Sequence, residues 1–380
     1  MEIKMGGILK STWEMLHDGR FLKKALMIAC PVALQGMLNT IVNMVDTLMI
    51  GGLGSTAIAA VGLANKVFFV FSLLVFGIVS GGGILAAQFW GSGDVKNIRK
   101  VLGLCVMLAM VGAMFFVVPA LTAPRMVMRI FTTSEGSIEL GAKYLRIAAL
   151  SYPFIALTNV YVAMLRATNK VVFPVICSCI AIVVNICLNY VLIFGKFGAP
   201  TMGVAGAACA TLTARCIEVT LVLFYVYGKK LPLACGPKGM FGWHKAFITQ
   251  FLETSAPVIA NEFMWGLGTT MYSLAYGRMS DDAVAAITIA TTIQDIAVVL
   301  FQGLSAATAV ILGNELGAGK LKRAEKYATQ FFILQFIVTI TAGVCLILGR
   351  WKIIGIYSII PGRQRMRAEI LHRNAQEALC

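Results

Sequence analysis

Charge is scarce in this 380-residue sequence: Asp, Glu, Lys and Arg make up 13% of it, about half their share of an ordinary soluble domain. That scarcity excludes a charge-laced disordered chain and a soluble globular one. The ten cysteines, scattered from Cys30 to Cys380, never form a C-x-x-C pair. This excludes a disulfide framework or a thiolate metal centre and reads them as small buried hydrophobes. Histidine is limited to His17, His244 and His372, all outside the apolar runs, so no histidine relay can be drawn within them. No nucleophile with a base, phosphate-cradling loop or metal-ligand spacing occurs, and an enzyme is not expected.

What the chain has in excess is apolar length. Hydrophobic residues reach 59% and the mean hydropathy is +0.84. Runs long enough to cross a hydrocarbon core of about 30 Å recur from residue 24 to residue 358. Bounded by charge or by Gly and Pro, they give nine spans: 24–50, 56–82, 99–121, 138–165, 171–195, 203–228, 249–276, 283–312 and 328–358. The chain is therefore an all-α polytopic membrane protein. Its first run is longer than a signal-peptide core and lacks a clear cleavage site, so it is expected to remain as the first span.

The formal charge of +15 is distributed between the spans rather than gathered in one patch, which argues against a nucleic-acid partner. With residues 1–23 inside, the inside segments hold eighteen Lys and Arg, among them Lys23, Lys24, Lys96, Lys100, Lys229, Lys245 and Lys320. The outside segments up to the ninth span hold six: Arg125, Arg129, Lys143, Arg146, Lys196 and Arg278. This bias places the N-terminus in the cytoplasm of a cell whose inner membrane carries the protein.

An internal repeat organises the spans. A shift of 226 residues brings Pro31 onto Pro257, Ala57-Ile58-Ala59-Ala60 onto Ala283-Val284-Ala285-Ala286, Gln88 onto Asn314, and Gly91-Ser92-Gly93 onto Gly317-Ala318-Gly319 without a gap. Six spans, an even number, precede the second copy. The repeats are thus parallel and related by a pseudo-two-fold axis along the membrane normal. The expected segments are 1–23 as a cytoplasmic N-terminal piece, 24–228 as the six-helix N-lobe, 229–248 as a cytoplasmic inter-lobe loop, 249–358 as a partial C-lobe and 359–380 as a polar tail. Under the same offset a further span is expected near residue 364, where the sequence PGRQRMRAEILHRNAQEALC cannot cross a bilayer, so the second repeat is read as incomplete, lacking three spans.

Polar residues inside the spans form stripes. Gln35, Asn39, Asn43 and Asp46 share one face of the first span, and Ser178, Asn185 and Asn189 one face of the fifth. Glu262 shares a face of the seventh with Gly266, Thr269 and Ser273; Asp295 lies deep in the eighth with Thr288 and Thr291 or Thr292. Arg215 and Glu218, three apart in the sixth span, are expected to neutralise each other. Lys66 stands alone in the second. An ionised group at mid-membrane costs about 2.5–3.5 kcal/mol, so each acid requires a partner, water or a proton. The stripes serve either as glue between helices or as sites.

Four segments, Pro31-x3-Gln35 to Asp46, QFWGSGD from Gln88 to Asp94, NICLNYVLIFG from Asn185 to Gly195 and PVIANEFMWGLG from Pro257 to Gly268, together resemble the multidrug and toxic compound extrusion (MATE) transporters. The resemblance covers roughly residues 20–358 and implies a monomeric antiporter that expels small organic cations by alternating access, driven by a Na+ or H+ gradient and without a cofactor. It makes Asp46 the first-helix coupling acid, Asn185 the fifth-helix asparagine and Glu262 a carboxylate of the second lobe. Asn189 stands where archaeal relatives carry an aspartate. Cation or proton coupling is thus assigned to Asp46, Glu262, Asp295, Asn185 and Asn189, and the substrate cavity to Gln35, Asn39 and Asn43, with Asp46 as the possible Na+ ligand. The alternatives are a lipid-linked saccharide flippase of the same superfamily, which should show more cationic residues in its cavity, and an inactive remnant.

The charge bias makes topology testable. In a background free of other cysteines, one introduced at position 198 is expected to react with an impermeant maleimide in intact cells, and Cys235 retained alone is not. The opposite labelling pattern would reverse the orientation.

Overall fold

The computed structural model describes residues 19–277 and 281–358; within them the side chains of 55, 237, 270, 273–277, 281–297, 346–347 and 349–358 are not included. Every described element is helical. In chain order these are α1 (Gly19–Gly51), α2 (Ser55–Gly91), α3 (Val95–Thr122), a short α4 (Pro124–Arg129), α5 (Glu135–Ala148), α6 (Tyr152–Ala167), α7 (Val172–Phe194), α8 (Val204–Gly228), a single-turn α9 (Pro237–Met240), α10 (Lys245–Gly277), α11 (Asp281–Gly317) and α12 (Leu321–Ser358). Among the described residues, eight helical segments are long and apolar enough to cross a membrane. With Glu253, Asn261 and Glu262 interrupting its apolar surface, α10 is not one of them, although it is 33 residues long.

The span expected at 138–165 is one apolar helical segment, Glu135–Ala167, built from α5 and α6. α5 and α6 are joined by a 3-10 turn, Ala149–Ser151, whose Ser151 hydroxyl donates back to the Ala148 carbonyl. Pro153, which lacks an N–H, sits in the first turn of α6, so a fresh helix start is the local solution. Elsewhere the caps follow ordinary chemistry: the Asp94 carboxylate accepts the Asn97 N–H at the start of α3, and Gly195 closes α7 with φ of 63°.

The repeat read from sequence recurs in the element boundaries. α10 begins 226 residues after α1, α11 the same distance after α2, and α12 the same distance after α3. Pro31 and Pro257 occupy equivalent places inside α1 and α10, each removing one N–H from its helix ladder, opposite Met27 and Glu253.

The chain divides into two units, Met1–Ala328 and Thr329–Cys380. The described part of the second is the remainder of α12. In the first, α2, α3, α5, α6 and α8 enclose a continuous apolar core. Phe71 anchors it, stacked on Tyr152 with ring centroids 4.7 Å apart and edge-on to Phe116 at 5.8 Å.

The opening helices of the two repeats interlock. α1 packs on α11, α10 on α2, and α2 on α11, while the sequential pairs α1 with α2 and α10 with α11 meet far less. The contacts repeat with roles exchanged. A Cβ at Gly91 would collide with the backbone of Asn314, and one at Gly317 with the backbone of Gln88, which are equivalent contacts under the 226-residue offset. A Cβ at Gly77 would meet Ile259 at 2.6 Å in the same sense, and one at its counterpart Gly303 would meet Ala33, the counterpart of Ile259, at 3.0 Å. Such a seam is an interface between two copies of one motif, and small residues set how close the backbones come. Lys24 adds an ion pair across it to Glu315 at 3.3 Å.

Gly317→Ala is expected to destabilise by about 1–3 kcal/mol, because the new methyl group meets backbone that cannot move aside. Gly83 is helical with open space around it, so Gly83→Ala is expected to be neutral or to stabilise by about 0.5–1 kcal/mol. Thermal unfolding of the two purified variants reads the difference; equal melting temperatures would refute the close crossing.

Candidate functional site

Where α1 and α7 run side by side, polar side chains meet in two rungs. Gln35 Nε2 donates to Ser178 Oγ at 2.7 Å, and Asn189 Nδ2 donates to Asp46 Oδ1 at 2.5 Å. From Gln35 to Asp46 and from Ser178 to Asn189 the separation is the same eleven residues. Eleven residues are about three helical turns, so two parallel helices in one register present both pairs together. A partner-bearing polar group inside apolar surroundings avoids the desolvation penalty of an orphan, which is why the rungs fix this register.

Around the Asp46 rung, Asn189 also reaches Asn185 Oδ1 at 3.3 Å, and Asn185 Nδ2 reaches Thr211 Oγ1 at 3.4 Å. Asn185 and Asn189 are buried; Asp46 is half-buried. A cavity of about 430 Å³, within the range of small-molecule sites, opens beside them. Asp46, Asn43, Asn185, Thr211 and Arg215 supply its polar wall, and Phe68, Phe69, Tyr144 and Tyr152 an aromatic one. A carboxylate among amides, hydroxyls and flat rings, with one guanidinium at the wall, is chemistry that can hold a cation: the carboxylate supplies charge when ionised and the ring faces a quadrupole.

The Gln35 rung continues into a second chain of bonds. Arg166 donates to Gln35 Oε1 at 2.6 Å, Ser178 Oγ donates onward to Glu218 Oε1 at 2.7 Å, and Arg215 donates to Glu218 Oε2 at 2.7 Å. Four helices, α1, α6, α7 and α8, contribute. Glu218 is buried with its side chain 5% exposed, whereas Arg215 is 32% exposed and reaches the cavity wall.

Set against the sequence expectations, Asp46 and Asn185 line the cavity, Asn189 bonds to Asp46 from behind, and Asn43 lines it as well. Gln35 lies away from the cavity because both ends of its amide are engaged by Ser178 and Arg166; half-buried Asn39 is not among the cavity residues either. Glu262 is half-buried on α10, outside this cavity. The side chain of Asp295 lies outside the described residues. Arg166 is a member that sequence reasoning misses, since it ends a helix and looks like one more inside-facing cation. Arg215 and Glu218 do form the expected pair, but their membership in a four-helix chain carries no sequence signal beyond their depth in the span.

Comparison with known proteins bears on this arrangement. The MatE family profile matches residues 31–191 and again 257–361, two matches whose starts lie 226 residues apart. A probable multidrug resistance protein NorM of Thermotoga maritima is 28% identical over 341 residues, covering 89% of this chain and 73% of the relative. The probable multidrug resistance protein YoeA of Bacillus subtilis is 26% identical over 329 residues, covering 84% and 69%. Among solved structures, a MATE protein in complex with MaL6 superposes with a TM-score of 0.83 at 19% identity, covering 94% of this chain and 79% of that one. A MOP superfamily transporter from Pyrococcus furiosus gives 0.81 at 19% identity, over 94% and 78%. Two family matches in register with the internal repeat, together with eight membrane-length helical segments and an all-helical fold shared with solved MATE structures, establish that this chain is a multi-pass membrane protein of the MatE family.

Proposed function

We propose that the protein is a multidrug efflux transporter that exports organic cations across the cytoplasmic membrane in exchange for protons. The observation that carries the reading is Asp46, an acid inside a cavity whose polar and aromatic walls suit a flat cation. The multidrug resistance names of the relatives point the same way.

Exchange follows from counting charge. Arg166 and Arg215 bring two positive charges to the N-lobe network, and Glu218 and Asp46 two negative ones. With Asp46 ionised the set is neutral. Either a proton or a substrate cation at Asp46 adds one positive charge, and a second is opposed by the expense of uncompensated charge in low dielectric. Mutual exclusion at one carboxylate is what converts a gradient of one ion into movement of the other.

A proton suits the site better than Na+. Hard cations gather several oxygen ligands, yet Asp46 is met here by an amide N–H from Asn189, the position that would have supplied a second carboxylate had it been aspartate.

Asp46→Asn in proteoliposomes is expected to reduce proton-driven efflux of a fluorescent organic cation to background while leaving expression and folding intact. Replacing the proton gradient by a Na+ gradient is expected to drive no efflux in the unmodified protein. Undiminished efflux by the variant would refute the role of Asp46, and Na+-driven efflux would refute the choice of ion.

A further inference from the structure

Arg215 stands between two acids. On α8 it lies one turn beyond Thr211, which lines the cavity, and one turn before Glu218, which is buried against Ser178 of α7. Its guanidinium bonds to Glu218 Oε2 at 2.7 Å, yet Arg215 also lines the cavity that Asp46 lines. A guanidinium has five N–H donors on a long side chain, so rotation about its torsions is enough to change which carboxylate it faces. Glu218 has no such freedom: Ser178 holds its other oxygen, and Ser178 is held in turn by Gln35 and, through Gln35, by Arg166.

We propose that Arg215 is a countercation shared between Glu218 and Asp46, and that Glu218 is the positioning residue that withdraws it from Asp46 when the cavity takes up its cation. When Asp46 is ionised and the cavity empty, Arg215 turns to Asp46, and Glu218 keeps the Ser178 hydrogen bond. When a proton or an organic cation arrives at Asp46, Arg215 is displaced and keeps only its bond to Glu218 Oε2. No bond other than hydrogen bonds and the Asp46 O–H is made or broken. Without Glu218 the guanidinium has one carboxylate left to face, and it competes with every cation for that site. The inference rests on Asp46 being the exchange site and adds what controls its readiness.

The other titratable or charged groups around the two acids do not supply this control. Tyr144 on α5 lines the cavity, Cys177 on α7 precedes Ser178 and bonds to neither acid, and Arg166 on α6 is engaged by Gln35. Among the described residues, Arg215 is the cation that both lines the Asp46 cavity and bonds to Glu218.

The test reads proton occupancy of Asp46 directly. A hydrophobic carbodiimide modifies protonated carboxyls in apolar surroundings, and its initial rate at Asp46, followed by mass spectrometry of the full chain in membranes, is compared at one pH across variants. Glu218→Gln is expected to slow modification of Asp46 about tenfold, because the freed Arg215 holds Asp46 ionised. Arg215→Gln is expected to accelerate it, and the double variant Arg215→Gln with Glu218→Gln to return within about threefold of the unmodified rate, since the neutral pair removes both charges. An unchanged rate in Glu218→Gln, or a double variant as slow as Glu218→Gln, would overturn the proposal. A merely structural role for Glu218 predicts no rescue by a second substitution. Because the readout is modification rather than efflux, failure here leaves the transport reading standing, and failure of transport leaves this pattern interpretable.

Discussion

A polar side chain inside hydrocarbon must find its partner within the protein, and that requirement decides how the N-lobe is put together. The pairing of α1 with α7 is set by two rungs, Gln35 with Ser178 and Asp46 with Asn189, and a slip of either helix would orphan both. α8 and α6 are drawn into the same lattice through Glu218 and Arg166. The apolar core around Phe71 and Tyr152 supplies area and packing, but area alone would accept neighbouring registers. One rung is consumed by packing, and the other stands beside the cavity.

The seam between repeats obeys a different rule. Its pairs, Gly91 with Asn314 and Gln88 with Gly317, are the same contact made twice, as expected when two copies of a motif meet across a pseudo-two-fold axis. Close backbone approach at glycine gains dispersion contact without tying side chains into place, so such a seam can separate without orphaning many polar groups. Alternating access needs one set of contacts that persists and one that opens. On the transport reading proposed above, the hydrogen-bonded N-lobe would be the set that persists and the small-residue seam the set that opens.

Much of this architecture is legible in the amino-acid sequence. The 226-residue repeat, visible in a few matched residues, reappears in the starts of α10, α11 and α12, because equivalent local sequence signals set equivalent helix starts. The stripes on the first and fifth spans are real faces, since helical periodicity is a local property. Which stripe meets which is not legible. Gln35 and Arg166 are 131 residues apart in sequence, Asp46 and Asn189 143 apart, and no local pattern encodes such a meeting. For the same reason periodicity assigns Gln35 to the cavity, although its amide is consumed by packing. The 3-10 turn between α5 and α6 is hidden too, because apolar character continues across Ala149–Ser151 while the backbone tightens there.

The central claim is that one carboxylate holds either a proton or an organic cation. Proton release on substrate binding tests it most directly: purified protein in weakly buffered solution, poised where Asp46 is protonated, is mixed with an organic cation, and the pH change is compared with the amount bound. The account predicts about one proton released per cation bound, and a matching fall in cation affinity as the pH is lowered, since the two linkages are reciprocal. Tight binding with no proton released at any pH would contradict it.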